Sequence, residues 1–152
     1  MNFRQLQQSD VEYMAENSYD KDFYKQVPAQ TEFDYALEHD GDILGVGGFR
    51  MKNNTTAWCW FDLSTKAAEH TIVCYRVIKE WIEGYEGKDG HVPGFCETHG
   101  ILRLEAYVKV GFEAGARTVE HLGFEWEHRM MKFIGQSPAD RYVKYFDGDS
   151  KC

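Results

Sequence analysis

This chain of 152 residues has little of what small proteins use in place of a core. Its four cysteines, Cys59, Cys74, Cys96 and Cys152, stand singly, with no CxxC pair and no dense spacing. A disulfide framework is therefore not expected, and three of the four sit in contexts that suit buried thiols in a reducing cytoplasm. No apolar run approaches the length that spans a bilayer. Residues 1–10 lack the basic and apolar regions of a secretory leader. The expectation is a cytoplasmic chain that does not engage membranes. Basic residues are also scarce, 17 Lys and Arg against 25 Asp and Glu, for a net charge of −8. Without a basic stripe, sequence-independent nucleic-acid binding is excluded, whereas an acidic surface suits a plain soluble protein or a cationic partner. Only three prolines occur, and no glycine lies between Gly48 and Gly84.

What is present is apolar and aromatic, at 43% and 15%. That content suits one packed domain over residues 1–152, with no need of metal or disulfides. Phe3 to Gln8 reads as a strand, and Ser9 to Glu12 has capping-box spacing, so a helix is expected from Asp10 to about Asn17. Tyr19 to Ala29 is a second short helix or a loop. Glu32 to His39 alternates apolar and polar residues; Asp40-Gly41-Asp42 is a turn, and Ile43 to Met51 is the returning strand of a hairpin. After Asn53-Asn54, Thr56 to Leu63 is near-continuously apolar, as in a strand covered on both faces. Glu69 to Tyr85 has helical period, with Cys74, Val77, Ile78, Trp81 and Tyr85 on one stripe and a stop at Gly84 and Gly87. Lys88 to Gly100 is an insertion too irregular for an element. A strand from Leu102 to Val110 and a helix from Glu113 to Leu122 follow. A long strand starting at Phe124 is broken by Gly135 and Pro138, and Arg141 to Phe146 is the last strand, before a polar tail at 147–152. A helix between the fourth and fifth strands implies a right-handed crossover and a parallel pair. The whole is an α/β arrangement with a mixed sheet.

Three stretches carry a likeness. Asp40-Gly-Asp-Ile-Leu-Gly-Val-Gly-Gly-Phe49 forms a glycine-containing hairpin. Ala116-Arg117, Glu120 and Leu122-Gly-Phe-Glu125 close a helix onto a strand. In this order the chain resembles the GNAT superfamily of N-acetyltransferases from about Phe3 to Phe146. Within that superfamily it is most similar to small proteins of tailed bacteriophages, which would place it in the host cytoplasm. The resemblance implies a GNAT-like, mostly antiparallel sheet with a parallel pair at its fourth and fifth strands and helices on both faces. It implies acetyl-CoA as cosubstrate and direct transfer to a primary amine of a small molecule or protein. It also implies a pyrophosphate site at a helix N-terminus, where backbone N–H groups and the dipole receive anions. Here that loop is Leu63, Ser64, Thr65, Lys66, then His70 and Thr71. Ser64, Thr65 and Thr71 are candidate caps, and Lys66 is a candidate phosphate ligand.

Two departures accompany the likeness. The family's Arg/Gln-x-x-Gly-x-Gly/Ala turn is missing, with Ala67, Ala68 and Glu69 where glycines would close around the pyrophosphate. The tyrosine that protonates the leaving thiolate, four residues before the Leu-Gly-Phe glycine, is Val119 here. Phe112 falls near the position of a common asparagine. An alternative is therefore a GNAT scaffold without catalysis, serving as a binding or virion-associated protein.

Acetyl transfer from a thioester needs a deprotonated amine, a donor for the oxyanion and correct placement. Glu105 is the first candidate base, with Asp62 second, and Glu105 is otherwise a solvated residue or a partner of Arg103. Tyr107 is an acid or a core aromatic, and His70 an assistant or a surface histidine. Trp58, Trp60 and Phe61 are core or pocket lining. Cys96-x-x-His99 with His91 has a spacing zinc accepts, but no fourth ligand is evident, and no metal is expected.

Overall fold

A computed structural model of the chain describes residues 1–18 and 33–147. The helix or loop expected at Tyr19 to Ala29 lies outside the described residues. Two compact units are formed, Met1–Arg50 with Cys59–Cys74, and Met51–Trp58 with Tyr75–Cys152.

In the first unit, β1 (Asn2–Gln5) pairs antiparallel with β2 (Asp34–His39), which pairs antiparallel with β3 (Asp42–Met51). The β2–β3 turn at Asp40-Gly41 places both residues at positive φ, 50° and 82°, as a tight hairpin requires. Helix α1 (Gln8–Asn17) starts two residues before the expected Asp10. Its closing carboxylate is Asp10, not Glu12: Asp10 accepts the Gln7 backbone N–H at 2.8 Å and both guanidinium nitrogens of Arg4 at 2.8 Å. A charged pair to Arg4 outcompetes the solvent-facing Ser9–Glu12 arrangement. On β3 the backbone of the next strand passes close by. A Cβ on Gly45 or Gly47 would meet the carbonyl oxygen of Asp62 or Trp60 at 2.8 or 2.7 Å. These glycines exist for that approach. Strand β4 (Thr56–Leu63) belongs to both units, its second half to the first.

In the second unit, the first half of β4 runs parallel to β7 (Arg103–Lys109), with Thr56, Ala57 and Trp58 opposite Arg103, Leu104 and Glu105. β7 pairs antiparallel with β9 (Ser137–Tyr145), which pairs antiparallel with β8 (Glu125–Ile134). Among the described residues the sheet is seven-stranded, in the order β1-β2-β3-β4-β7-β9-β8, mixed and mostly antiparallel.

Four local expectations change. A 3-10 turn over Thr65–His70 leads into α2 (Thr71–Glu83), so the helix ends before Tyr85. Gly84, at φ 84°, turns the chain out of the helix, and Tyr85 is 46% exposed; Ile82 takes the last core position. The 88–100 insertion is ordered. β5 (Gly84–Gly87) and β6 (Gly90–Pro93) form a hairpin, and α3 (Phe95–Thr98) follows. Gly94 abuts the Gly84 backbone so closely that a Cβ would meet its nitrogen at 2.3 Å, contact that no pattern of apolar residues announces. Pro138 does not end a strand but lies inside β9, where it sits near the Ser137 end. Finally, the alternation from Phe124 to Met130 is interrupted at Glu127 by a register shift between Trp126 and His128.

Helix α4 (Glu113–His121) ends at Leu122 and at Gly123 with φ 90°. Val119, Leu122 and Phe124 are buried with Leu104, Ala106, Val108, Tyr142 and Val143. No helix among the described residues is long and apolar enough to cross a membrane.

Candidate active site

The sequence-predicted residues divide between the two units. In the first, Leu63 to Thr71 is a short turn rather than a glycine loop. Ser64 is fully buried: its Oγ donates to the Ile43 carbonyl at 2.7 Å, and its N–H to that of Leu44 at 2.9 Å. It therefore anchors the end of β4 to β3 and does not cap the helix with its side chain. Thr71 Oγ1 donates to the Ala68 carbonyl at 3.1 Å, so it tightens the turn behind it rather than capping α2. Thr65 and Lys66 are exposed and face solvent at the start of the turn; Leu63 is half-buried. His70 packs edge-on against His39, with ring centroids 5.0 Å apart. Asp62 is buried, at 7% exposure. Among these residues, exposed Thr65 and Lys66 suit an anion, whereas the Ser64 hydroxyl is out of reach.

In the second unit, β7 brings Arg103, Glu105 and Tyr107 to one face, since alternate residues of a strand share a side. Glu105 is 3% exposed and receives three donors: Lys52 Nζ at 2.7 Å, the Tyr107 hydroxyl at 2.6 Å and Arg103 Nε at 2.8 Å. Burial alone pushes its pKa up, but the bonds from Lys52, Tyr107 and Arg103 outweigh it and hold the carboxyl at about 2. Burial, then the bond to Glu105, raise the Tyr107 phenol above its ordinary value. The bond to Glu105 likewise raises Lys52. Lys52 Nζ also lies 3.3 Å from the Tyr107 hydroxyl.

Arg103 is fixed from its far side. Its guanidinium donates to both Glu127 oxygens and, at 3.0 Å, to the Tyr145 hydroxyl; Arg141 Nε reaches Glu127 at 2.8 Å. The Arg103 hydrogen bond leads in holding Glu127 at about 2. Trp58 meets the Tyr107 ring edge-on at 6.3 Å, and Phe133 lies 4.8 Å from it on the same ring.

Glu105 and Tyr107 are thus brought together, and Arg103 is the partner that sequence spacing suggested for Glu105. Lys52, Glu127, Arg141 and Tyr145 escaped sequence reasoning. Arg103, Glu105 and Tyr107 do announce themselves as alternate residues of one strand, but Lys52 is remote in sequence. Glu127 lies on β8, 24 residues from Arg103 in the chain. Val119 is buried at 2%, and Phe112 is the residue before α4.

The insertion does not gather its ligand types. His91 sits between Glu86 (3.0 Å) and Glu97 (2.7 Å), while His99 packs on Phe95 at 4.2 Å. Burial pushes the Cys96 thiol up to about 12. Among the described residues no group of three or more His, Cys, Asp or Glu is placed to hold a metal ion.

No protein-family model matches the sequence, and no curated protein does. Solved structures share the architecture at low identity. The ribosomal-protein-S18-alanine N-acetyltransferase from Escherichia coli has a TM-score of 0.63 at 11% identity, covering 98% of this chain and 97% of its own. A chimera of spermidine N-acetyltransferase SpeG from Vibrio cholerae and hSSAT gives 0.67 at 11% identity, covering 95% and 94%. A GNAT-family acetyltransferase from Bacillus anthracis gives 0.64 at 15% identity, covering 94% and 93%. At this identity the likeness is one of architecture, and the chain has the fold of GNAT-family N-acetyltransferases.

Proposed function

We propose that this chain is an acetyl-CoA-dependent N-acetyltransferase, acting as one domain in the cytoplasm on a primary amine of a small molecule or protein. The observation that carries the reading is the end-to-end match to acetyltransferases of this fold, among them one whose name gives spermidine and one whose name gives a ribosomal-protein alanine as substrate. Cys59, Cys74 and Cys96 are buried and outside any disulfide, which suits a reducing compartment.

In this reading the acceptor nitrogen attacks the thioester carbonyl carbon, the C–N bond forms, and the C–S bond breaks to release the CoA thiolate. The ammonium proton passes to water before attack; after attack the nitrogen loses a second proton as the C–S bond breaks, and one proton reaches the sulfur. Lys66 and Thr65, both exposed at the start of the turn, receive the pyrophosphate, with Leu63 and Ser64 holding the turn to β3, and His70 and Thr71 closing it. Tyr107 is the proton donor and Glu105 the carboxylate of the acceptor site. With all three donors in place Glu105 is a weak base; loss of the Lys52 bond strengthens it.

Calorimetry with acetyl-CoA, followed by mass spectrometry of amines incubated with enzyme and acetyl-CoA, tests the reading. Micromolar binding and an acetylated amine are expected, in the range common for enzyme substrates. Lys66→Glu is expected to weaken acetyl-CoA binding. Absence of heat and of any protection against thermal unfolding by excess acetyl-CoA ends the enzymatic reading.

The alternative reading is a catalytically inactive GNAT-fold protein of phage type, serving as a binding or virion-associated component. Buried Val119 cannot move a proton, and Glu69 puts a negative charge in the turn expected to hold phosphates. The same calorimetry separates the two.

A further inference from the structure

We propose that Glu105 and Tyr107 form a subsite for a primary alkylammonium group, occupied in this structure by the protein's own Lys52. This rests on the N-acetyltransferase reading for its biological purpose, and it names the acceptor class: an unbranched amine such as a lysine side chain or a polyamine end.

The two oxygens of Glu105 differ in what holds them. Oε2 is taken by Arg103 Nε at 2.8 Å, and Arg103 is itself locked by Glu127 and Tyr145. Oε1 receives the Tyr107 hydroxyl at 2.6 Å and Lys52 Nζ at 2.7 Å. Lys52 differs from the other donors in its anchorage. It lies just past β3, its side chain is 42% exposed, and it ends in a primary amine on four methylenes. A buried carboxylate with a single exposed, flexible amine on it is the arrangement a free amine would copy.

The surroundings select the same chemistry. Trp58 and Phe133 flank the Tyr107 ring at 6.3 and 4.8 Å, and Phe133 is 44% exposed. Apolar rings beside a carboxylate suit an alkylammonium, whose methylene stem packs on the rings while its charged end meets the carboxylate. The Tyr107 oxygen, 3.3 Å from Lys52 Nζ, supplies a second acceptor for an N–H. A free amine must compete with the tethered one. Its apparent affinity is therefore reduced by the fraction of molecules in which Lys52 stands away.

The experiment uses the full chain, n-butylammonium as probe and n-butanol as its neutral counterpart, with Tyr107 and Trp58 ring signals followed by NMR in the absence of acetyl-CoA. Lys52→Met is expected to bind n-butylammonium at least about tenfold more tightly than the unaltered chain, and neither is expected to bind n-butanol. Adding Glu105→Gln to Lys52→Met is expected to abolish the gain. Since Glu105→Gln disturbs a buried network, Tyr107→Phe on the Lys52→Met background serves as a milder second variant and is expected to weaken binding. Equal affinity with and without Lys52 overturns the proposal. So does undiminished binding in a folded double variant lacking Glu105. Acetyl transfer is scored separately on the same samples: ammonium binding without transfer removes the enzymatic reading and leaves the subsite, and transfer without ammonium binding at Glu105 does the reverse.

Discussion

Glu105→Gln isolates the electrostatics of the second unit's buried cluster. The carboxyl falls from an ordinary 4.5 to about 2 in the folded chain, because three donors outweigh the cost of its burial. A group whose pKa is depressed by folding contributes stability above its unfolded value, and the contribution drains away as pH falls through the folded value. The window is therefore about pH 4.5 down to about 2. The full difference corresponds to about 3 kcal/mol as an upper value, lost with a slope of at most about 1.4 kcal/mol per pH unit. Glutamine keeps the shape and some acceptor capacity but does not titrate. Urea unfolding of both chains at a series of pH values from 6 to the lowest at which a native baseline persists gives the difference in stability directly. Glu127 titrates in both chains and so largely cancels. The advantage of the unaltered chain is expected to be constant above about pH 5 and to shrink steadily below it. Two curves that stay parallel from neutral to acid pH would refute the three-donor account of Glu105.

Gly48→Ala is expected to destabilise the first unit. Its Cβ would meet Asp34 Oδ1 at 2.2 Å, the Phe33 carbonyl at 2.7 Å and Trp60 Nε1 at 2.8 Å, and Asp34 is pinned by Arg50 at 2.6 Å. Thermal unfolding should register a loss on the order of 1–3 kcal/mol, as for other overpacked sites; an unchanged midpoint contradicts the packing described. His91 has a carboxylate on each ring nitrogen, which only the doubly protonated ring satisfies; Glu97 first and Glu86 second raise its pKa. Its clasp between the β5–β6 hairpin and α3 is thus complete at low pH and lost as pH rises through the folded value. In an NMR titration Glu97→Gln is expected to lower the His91 pKa more than Glu86→Gln; the opposite order contradicts the geometry.

Much of the strand and helix order was legible because it rests on local period. Thr56 to Leu63 is apolar throughout, Glu113 to His121 is bounded by Gly111 and Gly123, and Asp40-Gly41 permits one kind of turn. The ends of elements were less legible, since they depend on partners elsewhere. Asp10 closes α1 because Arg4 reaches it, and Tyr85 leaves the helix because Gly84 packs against Gly94. In the candidate site, Arg103, Glu105 and Tyr107 were readable as one face of a strand, while their state was not. The number of donors on a buried carboxylate depends on residues distant in the chain.

By itself the sequence determined the order of elements, the acidic balance and the absence of glycine between Gly48 and Gly84. These follow from residue type and short-range spacing alone. Tertiary structure decided that Ser64 is sealed against β3, that Glu105 carries Lys52, Tyr107 and Arg103, and that Glu127 locks Arg103 from β8. Such contacts join positions 53 and 24 residues apart, and only the pairing of strands brings them within hydrogen-bond distance.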